Sequence, residues 1–530
     1  MDEQIREHER AVRALEEQIR EHERAMVKLK RARNSFLNIS KLPPEILGNI
    51  FHWNVAFKDD FGGLEKGSHN FLSVCYHWSK VASHTPELWS FWGNTLEDWA
   101  RWYRNSGTAP LDLVLNSIEY DVGDLSAALR NALQDRATAD RIRRVHLSAE
   151  VLGLLSSIVA SLTAECEGIR SNSMESLLLW GCDETLDLSD FFAHYNFRKL
   201  RRLDLINCTT SSWDHLTSRT GALTNLELDF AEPKHTPTTS QLLSILASNP
   251  ALRRLSLFRC AIPDDDGVES SFRVPLHHLK ELKLLGYSED AIGFLYRLDH
   301  PANMDRLMLN LEDCTIVEIS RTIGPYLRDY LRRRGMSKNG LELFLSSDRG
   351  ITLKVGDAHG TGPLLQQMDT FMRINLDLEE ILRYDVKQKL ILDLIAHAPQ
   401  EEIVYFRSRD DPIAMENVYA QFPNLRTLSL ENIPLSSVFP RPNLGGDKGI
   451  PLSLQCMFLR ELAVHDDDWS SLMTFLARRA STGNCLDALE ISCSPRMCPA
   501  VVEDISEVVQ ELKIEDPVIN FPACPFGTHS

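Results

Sequence analysis

The sequence has 530 residues, of which 43% are hydrophobic and 25% charged, and its formal net charge is −18. This composition is typical of a globular chain, and the length predicts one large repetitive domain or two to three ordinary ones. Because phosphate contacts need clustered Lys and Arg, the charge argues against a nucleic-acid-binding surface over the whole protein.

We expect neither a signal peptide nor a membrane-spanning segment. The N-terminus lacks the apolar stretch of a signal peptide, and the longest strongly apolar run, residues 151–162, is too short to span a bilayer. We therefore expect no membrane partner. Eleven cysteines without a secretory signal predict free thiols in a reducing compartment, the cytoplasm or the nucleus.

Residues 1–36 are predicted to form a coiled-coil-like helix. The segment IREHERA occurs at residues 5–11 and again at 19–25, a shift of 14 residues, and two heptads are the coiled-coil period. The two seam positions hold Ile5, Val12, Ile19 and Met26, and His8, Leu15, His22 and Leu29. One interpretation is a homodimer or a partner zipper through residues 5–30, and the alternative is a solvated charged helix. Charged histidines on the seam would disfavour pairing, so the first interpretation predicts weaker association at acid pH.

Residues 37–95 contain two short helices with many apolar side chains. The string LPPEIL at residues 42–47 opens a helix, because proline has no amide donor to lose in a first turn and an acidic residue there suits the helix dipole. A second helix carries VCYHW at residues 74–78 and is followed by PELW at residues 86–89. Two short helices cannot bury this much Leu, Ile and Trp alone.

In this order, the three strings resemble the F-box, whose pattern is an LPxE-I-L opening, a V-C-x-x-W helix and a P-x-L-W end. The resemblance implies docking on the Skp adaptor of a cullin-based ubiquitin ligase. The adaptor contacts that it implies are Leu42, Pro43, Ile46, Leu47, Ile50, Val74, Trp78 and Trp89. Residues 58–70 depart from the family, which usually has a short turn with an Asp-Leu pair there. The alternative is a helical hairpin packed on the protein's own C-terminal domain.

Residues 96–516 are predicted to form a leucine-rich-repeat-like α/β solenoid. After a helix at residues 96–104, strands at 110–115 and 142–147 and a helix at 151–164, the pattern L-x-x-L-x-L recurs. Its copies begin at Met174, Leu200, Leu223, Leu252, Leu279, Met304, Leu425, Leu459 and Leu486. The starts from Met174 to Met304 are 26, 23, 29, 27 and 25 residues apart, which fits the repeat unit.

The repeat also accounts for cysteines and for the irregular stretch that follows. Cys182, Cys208 and Cys260 occupy one slot in three units, so their spacing is that of the repeat and predicts no metal site. Residues 312–420 fit the pattern badly, with paired strands expected at 340–355, an amphipathic helix at 376–398 and a strand at 402–406. Residues 517–530 are expected to form a C-terminal tail.

The outward-facing strand positions include a row of apolar residues. Trp180, Ile206, Phe258 and Leu285 each follow the second strand leucine of their unit, where folding does not require an apolar side chain. We expect this row to bind a protein target. The alternative is that a loop or the tail of the same chain covers it.

Motifs for catalysis are absent from the sequence, so we expect no enzyme activity, no cofactor and no metal. The sequence thus predicts a substrate-recognition subunit of a Skp–cullin–F-box ubiquitin ligase that holds an unknown protein substrate on its repeats. The alternative function is a repeat scaffold that acts without a ligase and assembles through its coiled coil.

Overall fold

The computed structural model divides into two compact units, Met1–Ala222 and Leu223–Ser530. It describes residues 2–56, 71–92, 99–116, 136–149, 170–171, 173–181, 186–211, 213–230, 236–259, 273–315, 317, 319–334, 341–346, 351–357, 370–378, 384–409, 415–433, 438–439, 451, 453–460, 466–492 and 499–515. The predicted helix at 151–164, the link at 58–70, Cys182, Cys260 and the tail at 517–530 lie outside these residues.

The first unit begins with helices. A single helix, α1, covers nearly all of the predicted coiled-coil segment. The helical elements that start the unit are α1 (Asp2–Ser35), a 3-10 turn (Asn38–Lys41), α2 (Pro44–Ala56), α3 (Phe71–Val74), α4 (Tyr76–Ser83) and a second 3-10 turn (Pro86–Trp89). The elements after α1 coincide with the three strings of the F-box pattern, and they are called the helical module, residues 38–89, below.

The sheet of the first unit consists of parallel strands that pair in chain order. Its strands are β1 (Phe91–Trp92), β2 (Leu111–Asn116), β3 (Ile142–Ala149), β4 (Ser176–Gly181) and β5 (Arg202–Ile206). The helices among and after them are α5 (Trp99–Ser106), α6 (Arg136–Ala139), α7 (Ser189–His194) and α8 (Asp214–Arg219). Parallel strands joined by helical connections are the α/β class that the sequence predicts.

The second unit continues the same alternation. The strands of its main sheet are β6 (Asn225–Asp229), β7 (Arg254–Phe258), β8 (Glu281–Tyr287), β9 (Arg306–Cys314), β10 (Leu341–Ser346), β11 (Ile351–Asp357), β12 (Thr370–Leu378), β13 (Ile403–Arg409), β14 (Thr427–Glu431), β15 (Cys456–Arg460), β16 (Leu486–Ser492) and β17 (Val509–Glu515). Its helices are α9 (Thr239–Ala247), α10 (Ser288–Tyr296), α11 (Gly324–Arg334), α12 (Tyr384–Ala396), α13 (Met415–Gln421), α14 (Asp466–Ser481) and α15 (Pro499–Ser506). A turn of π-helix, Ile319–Ile323, leads into α11.

The strand leucines of the repeat pattern form the hydrophobic core of both compact units. In the second unit Leu228, Leu257, Leu284 and Leu309 lie side by side on β6 to β9, and each is at most 3% exposed. Alternate strand residues point to opposite faces, so the intervening positions face outward. Burial of each such leucine contributes about 1.5–3 kcal/mol. The fold is therefore leucine-rich-repeat-like in both pattern and packing.

A recurring turn places the first leucine of the pattern. The backbone N–H of Leu252 donates to the carbonyl of Asn249 at 3.1 Å, three residues earlier. The same bond joins Leu200 to Phe197 at 2.9 Å and Leu425 to Phe422 at 3.2 Å. A turn with this hydrogen bond ends the connection between two strands of the repeat. The next strand begins shortly after it.

The residue that directly follows a strand has a left-handed backbone conformation in three of the repeats. Asn207, Arg259 and Asn432 come directly after β5, β7 and β14, and their φ angles are +54°, +50° and +53°. Asparagine tolerates this left-handed region better than most residues. The side-chain amide of Asn207 donates to the carbonyl of Gly181 at 3.2 Å, which ties the turn to the neighbouring strand.

Residues 312–420 contain an excursion in strand order that the sequence did not reveal. β12 pairs in parallel with β9, β11 pairs antiparallel with both β12 and β10, and β10 pairs in parallel with β13. The chain thus leaves β9, passes two strand positions to β10, and returns through β11 to fill the place beside β9. The expected hairpin near 340–355 is present as β10 and β11.

Two predicted boundaries in the second unit are wrong. The expected helix at 376–398 begins only at Tyr384, because residues up to Leu378 belong to β12. The copy placed at Leu459 begins at Leu454, since Met457 and Leu459 pair with Leu428 and Leu430. A further unit was missed: on β17, Leu512 and Ile514 pair with Leu489 and Ile491. Substitution of Met, Ile and Val for Leu hid both copies.

A buried asparagine suggests a test of the recurring turn. Asn249 is 1% exposed, its amide donates to the carbonyl of Ile245 at 2.8 Å, and its Oδ1 accepts from the N–H of Leu223 at 3.1 Å. Asn249→Leu leaves that buried N–H without its acceptor, so the free energy of unfolding should fall by about 1–3 kcal/mol. Denaturant titration measures it. Asn424→Leu removes an exposed bond to Glu401 and serves as the control, with a smaller loss expected. Equal losses would contradict this account.

A buried histidine packs among tyrosines in the second unit. His300 is 3% exposed, its Nε2 lies 2.9 Å from the Tyr326 hydroxyl and its Nδ1 lies 3.3 Å from the Pro301 carbonyl. A neutral ring with its proton on Nδ1 satisfies both bonds, because it donates to the carbonyl and accepts from the hydroxyl. Burial lowers the pKa of His300, and the nearby Arg333 opposes protonation as well.

This lowered pKa predicts a loss of stability in acid. The unfolded chain takes up the proton at the ordinary histidine pKa of 6.5 and the folded chain resists it, so the free energy of unfolding should fall as pH drops below about 6.5. Between pH 7.5 and 5.5, His300→Phe should show a smaller decline than the unaltered chain in denaturant titrations. The slope should not vanish, because the pKa values of His146 and His397 are lowered too. An unchanged slope would exclude His300 as a contributor.

Candidate functional site

The helical module has a small core of its own. Seven side chains form it, each at most 7% exposed: Leu47, Phe51, Phe71, Val81, Ala82, Leu88 and Trp89. The Phe51 and Phe71 rings stack with centroids 4.7 Å apart and an interplanar angle of 10°. The Trp78 ring lies 5.1 Å from that of Phe51 and is tilted by 54°. This core fixes the positions of α2, α3 and α4.

Hydrogen bonds and one close approach complete the packing. The Trp89 indole Nε1–H donates to the carbonyl of Ala82 at 2.6 Å, which anchors the PELW turn on the end of α4. Cys75 caps α4, since its Sγ accepts from the N–H of Trp78 at 3.5 Å. A Cβ on Gly48 would lie 3.3 Å from Oγ1 of Thr85, so glycine lets α2 approach that segment closely.

One face of α2 remains exposed and apolar. Ile46, Ile50 and Trp53 are 46%, 42% and 63% exposed, and they recur at helical spacing after the exposed Pro43. Soluble chains seldom leave apolar side chains in a contiguous row unless a ligand or another chain covers them. We call this set, Pro43, Ile46, Ile50 and Trp53, the α2 face.

The structure separates the eight implied adaptor contacts into three groups. Pro43, Ile46, Ile50 and Val74 are exposed, and Leu42 and Trp78 are partly buried against the module core. Leu47 and Trp89 are 0% and 1% exposed. A surface role for these two residues is therefore wrong for this fold, because both form the core from which the exposed residues project.

Sequence reasoning missed two exposed aromatic residues on the module. Trp53 continues the spacing of Ile46 and Ile50 by one turn, a signal that helical periodicity alone could have supplied. Tyr76 is 58% exposed, and the Arg31 guanidinium of α1 lies 4.4 Å from its ring centroid. This cation–π contact attaches the end of α1 to the module.

The four residues of the proposed target row lie on outward strand faces. In the first unit Trp180 is 51% exposed and pairs in register with the half-buried Ile206. In the second unit Phe258 and Leu285 are both half-buried and pair in register on β7 and β8. Trp180 thus offers the most accessible apolar surface of the four.

Charged groups share the outward face of the first unit. Arg202 lies 2.7 Å from Asp204, and Arg143 lies 2.7 Å from Asp112. Burial raises the pKa of Asp204, although the Arg202 bond opposes this shift. The pKa of His146 is lowered by burial and then by Arg202. These ion pairs make the outward face polar near the N-terminal ends of its strands. Trp180 and Ile206 lie near the C-terminal ends of β4 and β5 and form the apolar end of the face.

On the outward face of the second unit, cations follow the rearranged strands. Lys354 and Arg373 lie opposite one another on β11 and β12, and Arg407 follows on β13. Burial lowers the pKa of Lys354, and repulsion from Arg373 and Arg407 adds to the shift. Arg407 pairs with Glu431 at 2.8 Å.

The repeat cysteine that the structure describes fills the inside of a turn. Cys208 is fully buried, and its thiol donates to the carbonyls of Ile206 at 3.4 Å and Leu179 at 3.7 Å. Burial raises the pKa of Cys208 to about 12, which makes the thiol a poor nucleophile. Among the described residues, no group of three or more His, Cys, Asp or Glu side chains could hold a metal ion. None of the helices within the described ranges has the length and apolarity needed to cross a membrane.

Comparisons with known proteins add little to this geometry. No protein-family model matches the chain, and no curated protein sequence matches it. Among solved structures it is similar to an internalin from Listeria monocytogenes, with 12% identity and a TM-score of 0.27, over 74% of this chain and 95% of that one. A TM-score that low supports neither a shared fold nor a shared function. The leucine-rich-repeat-like description depends on the strand register and the buried leucines.

Proposed function

We propose that this chain is the substrate-recognition subunit of a Skp–cullin–F-box ubiquitin ligase, in which the helical module binds the Skp adaptor and the repeat face holds a protein target. The observation that carries the proposal is the α2 face. The LPPEIL, VCYHW and PELW strings, in F-box order, form a module that closes its own core and still leaves Pro43, Ile46, Ile50 and Trp53 outside it.

The presence of a buried and an exposed apolar face on α2 supports this function. Leu47 and Phe51 point into the module, whereas Ile46 and Ile50 are exposed one residue away from each. A helix that only packed on its own chain would need one apolar face, and α2 has two. The second face suits an apolar groove on another protein, where a few central anchors supply most of the binding free energy.

The proposed mechanism is proximity. A module that binds the adaptor and a repeat face that binds the target together hold the target's lysines near the ubiquitin-conjugating enzyme. Two reactants held on one scaffold have a raised effective concentration, so the chain needs no catalytic residue of its own.

The α2 face is tested by changing one of its anchors. Ile50→Asp places a charge in the centre of the proposed interface, and we expect adaptor affinity to fall by about 2 kcal/mol or more, roughly thirtyfold in Kd. His52→Asp adds the same charge two residues along the same helix, outside the face, and should bind normally. Isothermal titration of the purified adaptor into each full-length chain gives the affinities, and thermal unfolding checks that both variants fold. Equal binding by both variants would refute the interface.

A second candidate function is a repeat scaffold that acts without a ligase and assembles through α1. The observation that favours it is the exposed apolar seam of that helix, whose described members are more than half exposed. Co-purification decides between the two candidates. A ligase subunit should retain the Skp adaptor and a cullin through washing, whereas a scaffold should retain neither.

The target-binding role of the repeat face makes a separate prediction. Trp180→Ala should lower capture of ubiquitylated partners from proteasome-inhibited cells by about tenfold, because an exposed aromatic residue is the usual anchor of such a face. Trp180→Phe keeps an aromatic anchor and should restore most of the capture. Adaptor binding should stay unchanged in both variants. Full capture by Trp180→Ala would remove Trp180 from the target site.

A further inference from the structure

The seam of α1 is an exposed apolar surface of the first unit that shares no residue with the α2 face. Its described members, Val12, Leu15, Ile19, Met26 and Leu29, are 51% to 71% exposed. With His22 between Ile19 and Met26, the seam positions from residue 12 to residue 29 follow one another at alternating intervals of three and four residues, on a helix that runs continuously from Asp2 to Ser35. Intervals of this kind keep every member on one narrow stripe, which is the geometry of a coiled-coil seam.

Contacts on the rest of α1 leave this seam open. When the residues of a heptad are labelled a to g, the two seam positions are a (Ile5, Val12, Ile19 and Met26) and d (His8, Leu15, His22 and Leu29). Arg31, which lies over the Tyr76 ring, is at position f, on the side of the helix opposite the seam. Glu17 pairs with Arg20 at 2.7 Å and with Arg24 at 3.7 Å, and these three residues also lie outside the seam. The contact of α1 with the module and these ion pairs therefore lie outside the seam.

We infer that the partner of this seam is a second copy of the chain, and that two α1 helices form a parallel, in-register coiled coil. The inference goes beyond the proposed ligase function and is independent of it. Ile5, Val12 and Ile19 place β-branched side chains at position a, and Leu15 and Leu29 place leucine at position d. This combination of side chains favours a coiled coil of two parallel helices over one of three or four helices.

The flanking positions also favour the parallel orientation. In a parallel pair, position g of one helix faces position e of the other, five residues on, so Gln4 faces Glu9 and Gln18 faces Glu23 of the second copy. Each glutamine amide is a donor for the carboxylate opposite it. In an antiparallel pair position e would face position e, and Glu9, Glu16 and Glu23 would oppose one another as like charges.

Histidines set the strength of the pairing. A parallel, in-register pair stacks His8 on His8 and His22 on His22 of the second copy, which puts a polar layer in each half of the seam. Polar core layers fix the register of a coiled coil and lower its stability. Because the IREHERA segment recurs after 14 residues, a slip of 14 residues would still place His8 of one copy beside His22 of the other. It would, however, keep only about half of the seam contacts between the two helices.

The full-length chain tests this inference by sedimentation equilibrium. We expect a mass of twice 60.2 kDa at micromolar concentration. Leu15→Asp places a charge in the centre of the seam and should raise the dimer dissociation constant by about a hundredfold or more. Ala14→Asp adds the same charge to the same turn outside the seam and should leave the dimer intact. A monomer in the unaltered chain, or equal effects of both variants, would overturn the inference.

Three further variants test the orientation of the pair and the histidine layers. Residues 1–74 contain no cysteine, so Leu15→Cys introduces a single thiol in this part of the chain. Mild oxidation should link two copies through residue 15, as peptide mapping would show. Efficient linkage only between Leu15→Cys and Ile19→Cys chains would mean an antiparallel pair and overturn the parallel assignment. His22→Leu should lower the dissociation constant by about tenfold or more, and no tightening would exclude a histidine layer.

Discussion

The register between neighbouring parallel strands is the constraint on which the rest of the repeat fold depends. Side chains on a strand alternate between two faces, so a slip of one residue would move every leucine of a unit from the core to solvent. The pairs Leu226–Leu255 and Leu228–Leu257 keep both inner positions aligned. Once that alignment is fixed, the outward position of each repeat need not be filled by a core leucine, and at Trp180 it holds an exposed aromatic side chain.

The same constraint explains how the second unit accepts a change of strand order. β12 takes the place beside β9, and it sets Met372 and Ile374 next to Leu307 and Leu309. These four side chains are all fully buried. The order of strands along the chain is broken, whereas the register of inner residues is kept. The hydrophobic core therefore continues through a region where the repeat pattern is lost from the sequence.

The conserved register and the changed strand order explain which strands the sequence could predict. The spacing L-x-x-L-x-L located β4 to β9, because it specifies a strand and its inner face together. It could not locate β12, since a strand of similar pattern can pair beside any strand that presents a matching inner face. The copy at Leu454 is hidden for a simpler reason: Met457 stands where the pattern has a leucine, so the pattern predicts a start at the next leucine, Leu459.

The helical module shows a similar limit. Its motifs placed the helices well, because proline, glutamate and the helical spacing act locally. They could not show which of two apolar faces on α2 is covered, as this depends on Phe71 and Trp89, which are distant in sequence. The family resemblance implies an adaptor contact at Leu47, which lies in the core, and it implies none at Trp53, which lies on the exposed side.

The central claim is that the α2 face binds the Skp adaptor, and hydrogen–deuterium exchange of the full-length chain tests it most directly. Exchange is compared with and without saturating adaptor. The account predicts slower exchange in peptides that cover residues 43–53, and unchanged exchange on β6 to β9 of the second unit. Unchanged exchange at residues 43–53 under saturating adaptor, or protection confined to the repeat strands, would contradict it.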